Sequence, residues 1–193
     1  MDKGRILIDE ETLATRINEL AKEITKEFEG EQLTVICILK GSIYFFADLT
    51  RRIDLDTRVE FIRISSYDGE NSTGDIDFKL KLDEPVTGKN VLIVEDIIDT
   101  GHTLKALMDY LGKQEPKKMK LCTLLDKPSR REEKNINVDF LGFTINNHFV
   151  IGYGLDNNEK YRTIPTINCI PSSLEEMQEI DKDREQLKLI KKQ

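Results

Sequence analysis

The segment that most constrains the fold runs from Val91 to Leu104 and reads VLIVEDIIDTGHTL. It begins with four apolar residues, the pattern of a strand that is buried on both faces of a parallel sheet. Glu95 and Asp96 follow at once, and Asp99 comes after two more apolar residues. Two carboxylates about 5 Å apart repel each other by roughly 3 kcal/mol at an effective dielectric constant near 20. We therefore expect a cation or a hydroxyl-bearing ligand beside these acids.

Apolar runs and helical periodicities alternate along the rest of the chain. Further strands are predicted at 6–8, 33–42, 59–66, 119–127, 138–145 and 148–155. Helices are predicted at 12–28, at 43–53 and from 104 onward, because apolar residues recur there every three or four positions. This alternation predicts an α/β fold with a mostly parallel central sheet flanked by helices. A polar, glycine-bearing segment at 67–78 is too long for a simple hairpin loop and is typical of a lid.

The C-terminal segment has a helix signal of its own. Ser173 and Glu176 have the spacing of a capping box, and apolar residues recur at helical spacing as far as Ile190. We expect residues 172–193 to form a helical extension, packed on the body of the protein or on a neighbouring subunit. Residues 1–171 are predicted to form a single domain, which suits a chain of 193 residues.

Charge and cysteine usage limit the class of protein. The net charge of -7 argues against a general binder of nucleic acid or of anionic membranes, which needs a basic face. Cys37, Cys122 and Cys169 lie in apolar runs without CxxC spacing, which indicates buried, reduced thiols. There is neither a signal-peptide pattern nor an apolar run of membrane-spanning length. We expect a cytoplasmic protein.

The residues after Asp99 predict a phosphate site. Thr100 to Thr103 lead into a helix, and such a turn aims backbone N–H groups and the positive end of the helix at one point. Gly101 permits close approach of the backbone. Acids that bind hydroxyls and a turn that binds phosphate together indicate a sugar phosphate as the ligand. The simpler alternative is an acidic strand end that faces water beside an ordinary helix cap.

Five segments in order resemble the type I phosphoribosyltransferases, and among these the hypoxanthine(-guanine) phosphoribosyltransferases. They are LKGS at 39–42, SSYDGENSTGD at 65–75, VLIVEDIIDTGHTL at 91–104, LLDKPSRR at 124–131 and FVIGYGLDNNEKYR at 149–162. The resemblance covers roughly residues 6–170. It implies a small hood subdomain over the sheet, built from the N-terminal strand and about residues 145–171.

The activity implied by this resemblance is a step of purine salvage. Such enzymes transfer the 5-phosphoribosyl group of phosphoribosyl pyrophosphate to N9 of hypoxanthine or guanine, giving IMP or GMP and pyrophosphate. The implied cofactor is Mg²⁺, and the implied assembly is a homodimer or homotetramer. The resemblance does not decide the preference among hypoxanthine, guanine and xanthine. It implies no nucleic-acid or membrane partner.

The resemblance also assigns roles by position. Asp99 is the expected general base, which removes the N7 proton of the purine as N9 attacks the sugar. Glu95 and Asp96 are expected to bind the ribose hydroxyls. The 5-phosphate is expected to bind at Asp99, Thr100, Gly101, His102 and Thr103. The purine site is expected at Lys127, Phe149, Val150 and Asp156, and the pyrophosphate site at Lys40, Gly41 and Arg162. Magnesium would lie near Asp156, Glu95 and Asp96, and the lid would carry Ser66 and Tyr67.

Two of these assignments have a simpler alternative, in which the residue has only a structural role. Without the surrounding match, Lys127 is a solvated lysine after a strand and Phe149 is a core residue. As the purine contact, the Lys127 ammonium can donate a hydrogen bond to an oxo group at position 6 of the purine. It cannot accept one from the amino group of adenine, because it has only donors. Arg131 is expected to orient the site or a subunit interface. A non-proline cis peptide is implied at Leu39–Lys40.

The chain departs from the family pattern at a few positions. His102 occupies a variable position in the phosphate turn and could add pH dependence near neutrality. His148 has no evident partner in the sequence and is expected at the surface. Asn146, Asn147 and Asn157 stand where many relatives have other residues, which leaves the preference between guanine and hypoxanthine open.

Two rival functions use the same residues differently. A regulator built on the phosphoribosyltransferase fold would bind nucleotide and nucleic acid, and would need a basic surface or an added DNA-binding domain. A magnesium phosphatase would use the clustered acids, but leaves Lys127, the lid and the phosphate turn without a role.

Overall fold

The computed structural model describes residues 3–65 and 77–189, and contains nine strands and four α-helices in that part of the chain. The strands are β1 (Arg5–Ile8), β2 (Leu33–Ile38), β3 (Thr57–Ser65), β4 (Asp77–Leu80), β5 (Asn90–Ile98), β6 (Lys118–Asp126), β7 (Phe140–Thr144), β8 (Val150–Ile151) and β9 (Ile167–Cys169). The helices are α1 (Glu10–Glu27), α2 (Ile43–Thr50), α3 (His102–Gly112) and α4 (Leu174–Leu189).

The main sheet has six strands in the order β4-β3-β2-β5-β6-β7. All its neighbours are parallel except β3 and β4, which are antiparallel. The predicted α/β fold with a mostly parallel central sheet is therefore confirmed. Within this sheet β5 and β6 are adjacent, and Ile98 at the end of β5 pairs with Asp126 at the end of β6. Residues that follow these two strands consequently emerge side by side.

Two hydrophobic cores cover the two faces of the main sheet. Alternate residues of β2 and β5 divide between the cores, so that Val35 and Leu92 face α1 and α2 while Ile36 and Ile93 face α3. All six side chains of β2 are buried for this reason. The continuous apolar runs in the sequence are thus explained by burial on both faces.

Helix α1 shows how the local sequence sets an element boundary. The side chain of Asp9 accepts a hydrogen bond from the N–H of Thr12 at 2.9 Å, which caps the first turn. Its apolar stripe is buried in the core, with Leu13, Ile17 and Leu20 each at most 2% exposed. The helix predicted from residue 12 is therefore confirmed, and the Asp9 cap places the start of α1 two residues earlier, at Glu10.

A second sheet of three strands, in the antiparallel order β1-β9-β8, stands apart from the main sheet. We call it the small sheet. The strand predicted at 148–155 is wrong in length: β8 has two residues, because Gly152, Tyr153 and Gly154 all have positive φ and turn the chain. Strands β4 and β9 were not predicted, and Asp77 and Phe78 belong to β4 instead of the polar segment.

Helix α4 extends from the small sheet, and its Ile180 is fully buried in the core. The predicted capping box is present in part. The Oγ of Ser173 accepts the N–H of Glu176 at 3.1 Å, while the carboxylate of Glu176 accepts the N–H of Ser172 at 2.6 Å. All three cysteines are free and buried. In the described ranges, no helix is long and apolar enough to cross a membrane.

Candidate active site

The carboxylates predicted from the opening segment lie at the end of β5. Glu95 accepts the N–H of Asp96 at 3.1 Å, and Asp96 accepts the N–H of Ile97 at 2.7 Å. Burial and the charge of Asp96 raise the pKa of Glu95 well above its ordinary value. Burial also raises the pKa of Asp96, against the opposing effect of its hydrogen bonds and of Arg162. Two desolvated carboxyl groups, each with a raised pKa, therefore lie together at the end of β5.

Two glycines bring separate loops into backbone contact beside Asp96. A Cβ on Gly41 would lie 1.5 Å from Oδ2 of Asp96, and a Cβ on Gly154 would lie 1.8 Å from the carbonyl oxygen of Gly41. Gly154 also has a φ of 105°, which favours glycine. The peptide between Leu39 and Lys40 is cis. No larger residue fits at either glycine without moving Asp96 or the opposite loop.

A network of charged residues surrounds Arg162. Its guanidinium donates to the carbonyl oxygen of Gly154 at 2.7 Å and pairs with Asp156 at 2.9 Å and with Glu159 at 3.3 Å. Glu159 in turn pairs with Lys40 at 2.8 Å, and this contact lowers the pKa of Glu159. The buried Nε of Arg162 has no hydrogen-bond partner within the described ranges. It therefore remains a donor for an anionic ligand.

The predicted phosphate turn has the expected backbone form. Gly101 has a φ of 91° and precedes the first residue of α3. The first turn of a helix leaves its N–H groups without partners inside the helix, so these groups can bind an anion. The carbonyl oxygen of Thr100 accepts N–H groups of Glu132 and Glu133, both at 3.0 Å, which fixes the turn against the loop after β6.

His102 begins α3 and contacts that same loop. Its Nε2 lies 2.9 Å from Glu132 and its Nδ1 lies 2.9 Å from Glu133. These two carboxylates raise the pKa of His102. Neither partner was predicted from the sequence pattern. His102 is thus held beside the phosphate turn by two acids that its sequence neighbours do not supply.

Asp99 and Lys127 follow adjacent strands and lie near each other. The N–H of Lys127 donates to the carbonyl oxygen of Ile98 at 3.1 Å. Burial lowers the pKa of Lys127, while the negative charge of Asp99 acts in the opposite direction. Lys127 is only 6% exposed, so it is not a solvated surface lysine. Asp99 itself pairs with Arg130 at 2.9 Å.

The aromatic residue predicted for the purine is available to a ligand. Phe149 is 51% exposed, although the pattern alone favours a core residue, and Val150 beside it is buried in β8. The backbone carbonyl of Phe149 accepts the N–H of Ile170 at 3.1 Å. This hydrogen bond, next to the ends of β8 and β9, fixes the backbone of Phe149, while its ring stays half exposed.

Two further residues, Arg131 and His148, make contacts that the sequence did not predict. Arg131 donates to Asp126 at 2.8 Å and to the carbonyl oxygen of Ile136 at 2.9 Å, so it braces the loop after β6. His148 was expected at the surface, and this is wrong. It is 3% exposed, and its Nε2 lies 2.7 Å from Asp183 of α4. The partner is distant in sequence, which is why the pattern did not reveal it.

Two of the predicted site residues are not described by the structure, and three residues of the site were not predicted. Ser66 and Tyr67, the predicted lid residues, lie outside the described residues. Arg130, Glu159 and Gly154 were not singled out from the sequence. All three lie inside the segments that carry the resemblance, but only the three-dimensional contacts give them a place in the site.

Comparison with known proteins defines the class first. The family model described as a phosphoribosyl transferase domain matches residues 6–158, which include the acids, the phosphate turn and Asp156. The hypoxanthine phosphoribosyltransferase of Buchnera aphidicola subsp. Schizaphis graminum is 46% identical over 169 residues, covering 86% of this chain and 95% of that protein. The hypoxanthine-guanine-xanthine phosphoribosyltransferase of Tritrichomonas foetus is 37% identical over 173 residues, covering 90% and 94%.

A solved structure agrees with these relatives. A crystal structure of a hypoxanthine-guanine phosphoribosyltransferase from Bacillus anthracis superposes with a TM-score of 0.83 at 44% identity, covering 88% of this chain and all of that one. The chain therefore belongs to the phosphoribosyltransferase family, in its hypoxanthine(-guanine) branch. The resemblance inferred from the five segments is confirmed.

Proposed function

We propose that the protein carries out purine salvage by transferring the 5-phosphoribosyl group of phosphoribosyl pyrophosphate to N9 of hypoxanthine or guanine. The products are IMP or GMP and pyrophosphate. The observation that carries the proposal is the adjacency of β5 and β6, which sets Asp99 and the phosphate turn beside the buried ammonium of Lys127. Sugar phosphate and purine can then meet at a single point above the sheet edge.

The sugar phosphate is the ligand proposed for the end of β5. Glu95 and Asp96 accept hydrogen bonds from the ribose hydroxyls, which relieves part of their mutual repulsion. The backbone N–H groups around Gly101, with the hydroxyls of Thr100 and Thr103, bind the 5-phosphate. The φ of 91° at Gly101 and the helix that follows it support this assignment. The anomeric carbon is thereby fixed for attack.

The purine is proposed to lie between Phe149 and Lys127. The exposed ring of Phe149 stacks on the base, and the backbone of Val150 binds its edge. The ammonium of Lys127 donates to O6, which selects 6-oxopurines over adenine. Asp99 accepts the N7 proton as N9 forms the new bond, and its negative charge stabilises the positive charge that develops on the sugar.

Pyrophosphate is proposed to bind where Gly41, Lys40 and Arg162 converge. The unpartnered, buried Nε of Arg162 supports an anion at this place, because a buried donor without a partner is costly. A guanidinium also suits phosphate oxygens geometrically. The backbone of Gly41, held against Asp96, supplies a close approach that a side chain would block.

Mg²⁺ is part of the proposal, and the donors present fit it. Asp156, Glu95 and Asp96 offer the carboxylate oxygens that a hard cation prefers. In residues 3–65 and 77–189 there is no cluster of three or more candidate ligands, so the protein forms no closed metal cage there. Magnesium is commonly bound by one or two carboxylates together with substrate phosphates and water. When bound, it would neutralise charge on the departing pyrophosphate.

We propose further that residues 1–171 act as one phosphoribosyltransferase domain, with 172–193 as a helical extension. The small sheet, which joins the N-terminal strand to residues 150–151 and 167–169, supports a hood over the site. Ser66 and Tyr67 are proposed to act in a lid that excludes water from the activated sugar. A homodimer or homotetramer in the cytoplasm completes the proposal, and the three buried free thiols support a reducing compartment.

One assay tests the proposed function. The protein is mixed with Mg²⁺ and phosphoribosyl pyrophosphate, and with hypoxanthine, guanine, xanthine or adenine in separate reactions. We expect nucleotide and pyrophosphate from hypoxanthine or guanine and none from adenine. If neither 6-oxopurine yields nucleotide, the enzymatic proposal is wrong. Nucleotide binding without turnover would then favour the regulator.

A further inference from the structure

We propose that Asp183, on α4, is a positioning residue for the purine, because it fixes the turn that carries Phe149 through hydrogen bonds to His148 and Asn146. This inference rests on the proposed function. Oδ2 of Asp183 lies 2.7 Å from Nε2 of His148. The side-chain amide of Asn146 donates to both oxygens of Asp183, at 3.0 and 2.9 Å. One carboxylate thus engages two residues of a three-residue turn.

The contact between α4 and the turn is buried on the histidine side. The side chain of His148 is 4% exposed and that of Asp183 is 15% exposed. Glu176, two turns earlier on the same face of α4, lies 3.7 Å from Nδ1 of His148. Hydrogen bonds to buried or charged groups contribute more than exposed ones, and a buried partner left without its bond is costly. Loss of Asp183 would therefore release the turn.

The turn connects the two residues proposed for the purine. On one side, the N–H of Ile145 donates to the carbonyl oxygen of Asp126 at 2.9 Å, next to Lys127. On the other side, Phe149 follows His148 directly. The N–H of His148 donates to the carbonyl oxygen of Asn146 at 2.8 Å, which closes the turn. A shift of this turn must change the distance between the ring of Phe149 and Lys127.

The surroundings of Cys169 place α4 close to the purine site. Burial raises the pKa of Cys169 to about 12, and the carboxylates of Glu176 and Asp183 act in the same direction. Lys127 acts on the same thiol in the opposite direction. Cys169 also pairs with Val150 in the small sheet. The acids of α4 and the ammonium of Lys127 are thus both near one buried side chain.

The turn and α4 also border an open surface depression of about 760 Å³, lined by residues 146–148 and by side chains of α4 from Glu175 to Gln186. Hydrogen bonds to Asp183 connect the turn to α4 at this border. Helix α4 itself is anchored independently, through the buried Ile180 and through the ion pair of Asp181 with Arg5.

Steady-state kinetics of three variants test the inference. Asp183→Ala is expected to raise the KM for hypoxanthine about fivefold or more, with kcat and the KM for phosphoribosyl pyrophosphate within about twofold. Asp183→Asn, which keeps an acceptor for His148, is expected to recover most of the loss. Glu185→Ala removes an exposed carboxylate from the same helix and is expected to change none of the three constants. Thermal melting of each variant reports whether it is folded.

The outcomes separate cleanly. An Asp183→Ala protein that is folded and keeps the wild-type KM for hypoxanthine overturns the inference, as does an equal rise in both KM values. If Asp183→Ala melts below the assay temperature, Asn146→Ala carries the test, because that side chain is exposed and its loss leaves the core intact. We then expect a rise of about twofold to threefold in the KM for hypoxanthine alone, and no rise overturns the inference. A wild-type protein without activity contradicts the proposed function instead.

Discussion

Oδ1 of Asp99 lies 2.9 Å from Nε of Arg130, so the proposed general base is held in an ion pair. The two side chains are 44% and 48% exposed. Exposed ion pairs contribute at most about 1 kcal/mol. A purine can therefore take the place of Arg130 beside Asp99 at small energetic cost.

Asp99→Asn tests the base directly. The amide has nearly the shape of the carboxylate but cannot accept the N7 proton. We expect kcat to fall about 10²-fold or more, while the Kd of IMP measured by calorimetry stays within about threefold. Asp109→Asn, on the exposed side of α3, is the control and should leave both values unchanged. Wild-type turnover in Asp99→Asn would remove this residue from the role of base.

Gly41→Ala tests the close approach of the pyrophosphate loop to Asp96. The new methyl group would lie 1.5 Å from Oδ2 of Asp96, so the carboxylate or the loop must move. We expect kcat/KM for phosphoribosyl pyrophosphate to fall about 10²-fold, since small displacements in a reacting site are that costly. Gly112→Ala is the matched control, because its Cβ meets nothing within 4 Å. Equal activity of the two variants would contradict the prediction.

Lys127→Gln tests purine selection. The substitution keeps a donor but removes the charge, and hydrogen bonds to charged groups contribute about 1.5–3 kcal/mol. We expect the KM for hypoxanthine to rise about tenfold or more and the KM for phosphoribosyl pyrophosphate to stay within about twofold. Discrimination against adenine should also weaken. Lys134→Gln, an exposed lysine in the same loop, serves as the control. A variant that binds hypoxanthine normally would exclude Lys127 as the O6 contact.

Because of His102, we expect the binding of phosphoribosyl pyrophosphate to depend on pH. Glu132 and Glu133 raise its pKa, so the imidazolium is present below that pKa and is lost as the pH rises through it. Above it the two carboxylates are no longer balanced, and negative charge beside the phosphate turn increases. We expect the KM for phosphoribosyl pyrophosphate to rise about threefold from about pH 6.5 to about pH 8.5. His102→Asn should show a flatter profile, and identical profiles would contradict the prediction.

Arg131→Met tests stability. Asp126 and Arg131 are only 9% and 14% exposed, and removal of one partner leaves a buried charge. Breaking such a pair costs about 3 kcal/mol, which corresponds to a fall in Tm of about 9 °C for a chain of this size. Arg51→Met, at an exposed helix end, should change Tm by about 1 °C or less. A Tm near that of the wild type would show that Arg131 does not brace the loop.

The fold was predictable because its signals are local. Apolar runs marked the strands of the main sheet, and period-3.6 stripes marked α1 and α3. The error at 148–155 has a local cause as well. The apolar residues of that segment suggest a strand, but Gly152, Tyr153 and Gly154 all take positive φ, which residue type alone does not specify.

The site was predictable in its residues and not in its contacts. Motif order identified Asp99, Lys127 and Phe149, whereas the side-chain hydrogen-bond partners of His102 and His148 lie 30 to 35 residues away in the sequence. Sequence separation hides such pairs, since nothing in the local pattern relates α4 to the turn before β8. The buried position of His148 follows only from the docking of α4.

The contact of Gly154 with the carbonyl oxygen of Gly41 has a consequence for engineering. These residues belong to two loops that are far apart in the chain, yet a Cβ on Gly154 would meet the carbonyl oxygen of Gly41, and a Cβ on Gly41 would meet Asp96. A loop grafted from a homologue will therefore fit only if the opposite loop of the recipient leaves space for its backbone. Chimaeras of this enzyme should exchange both loops as a single module.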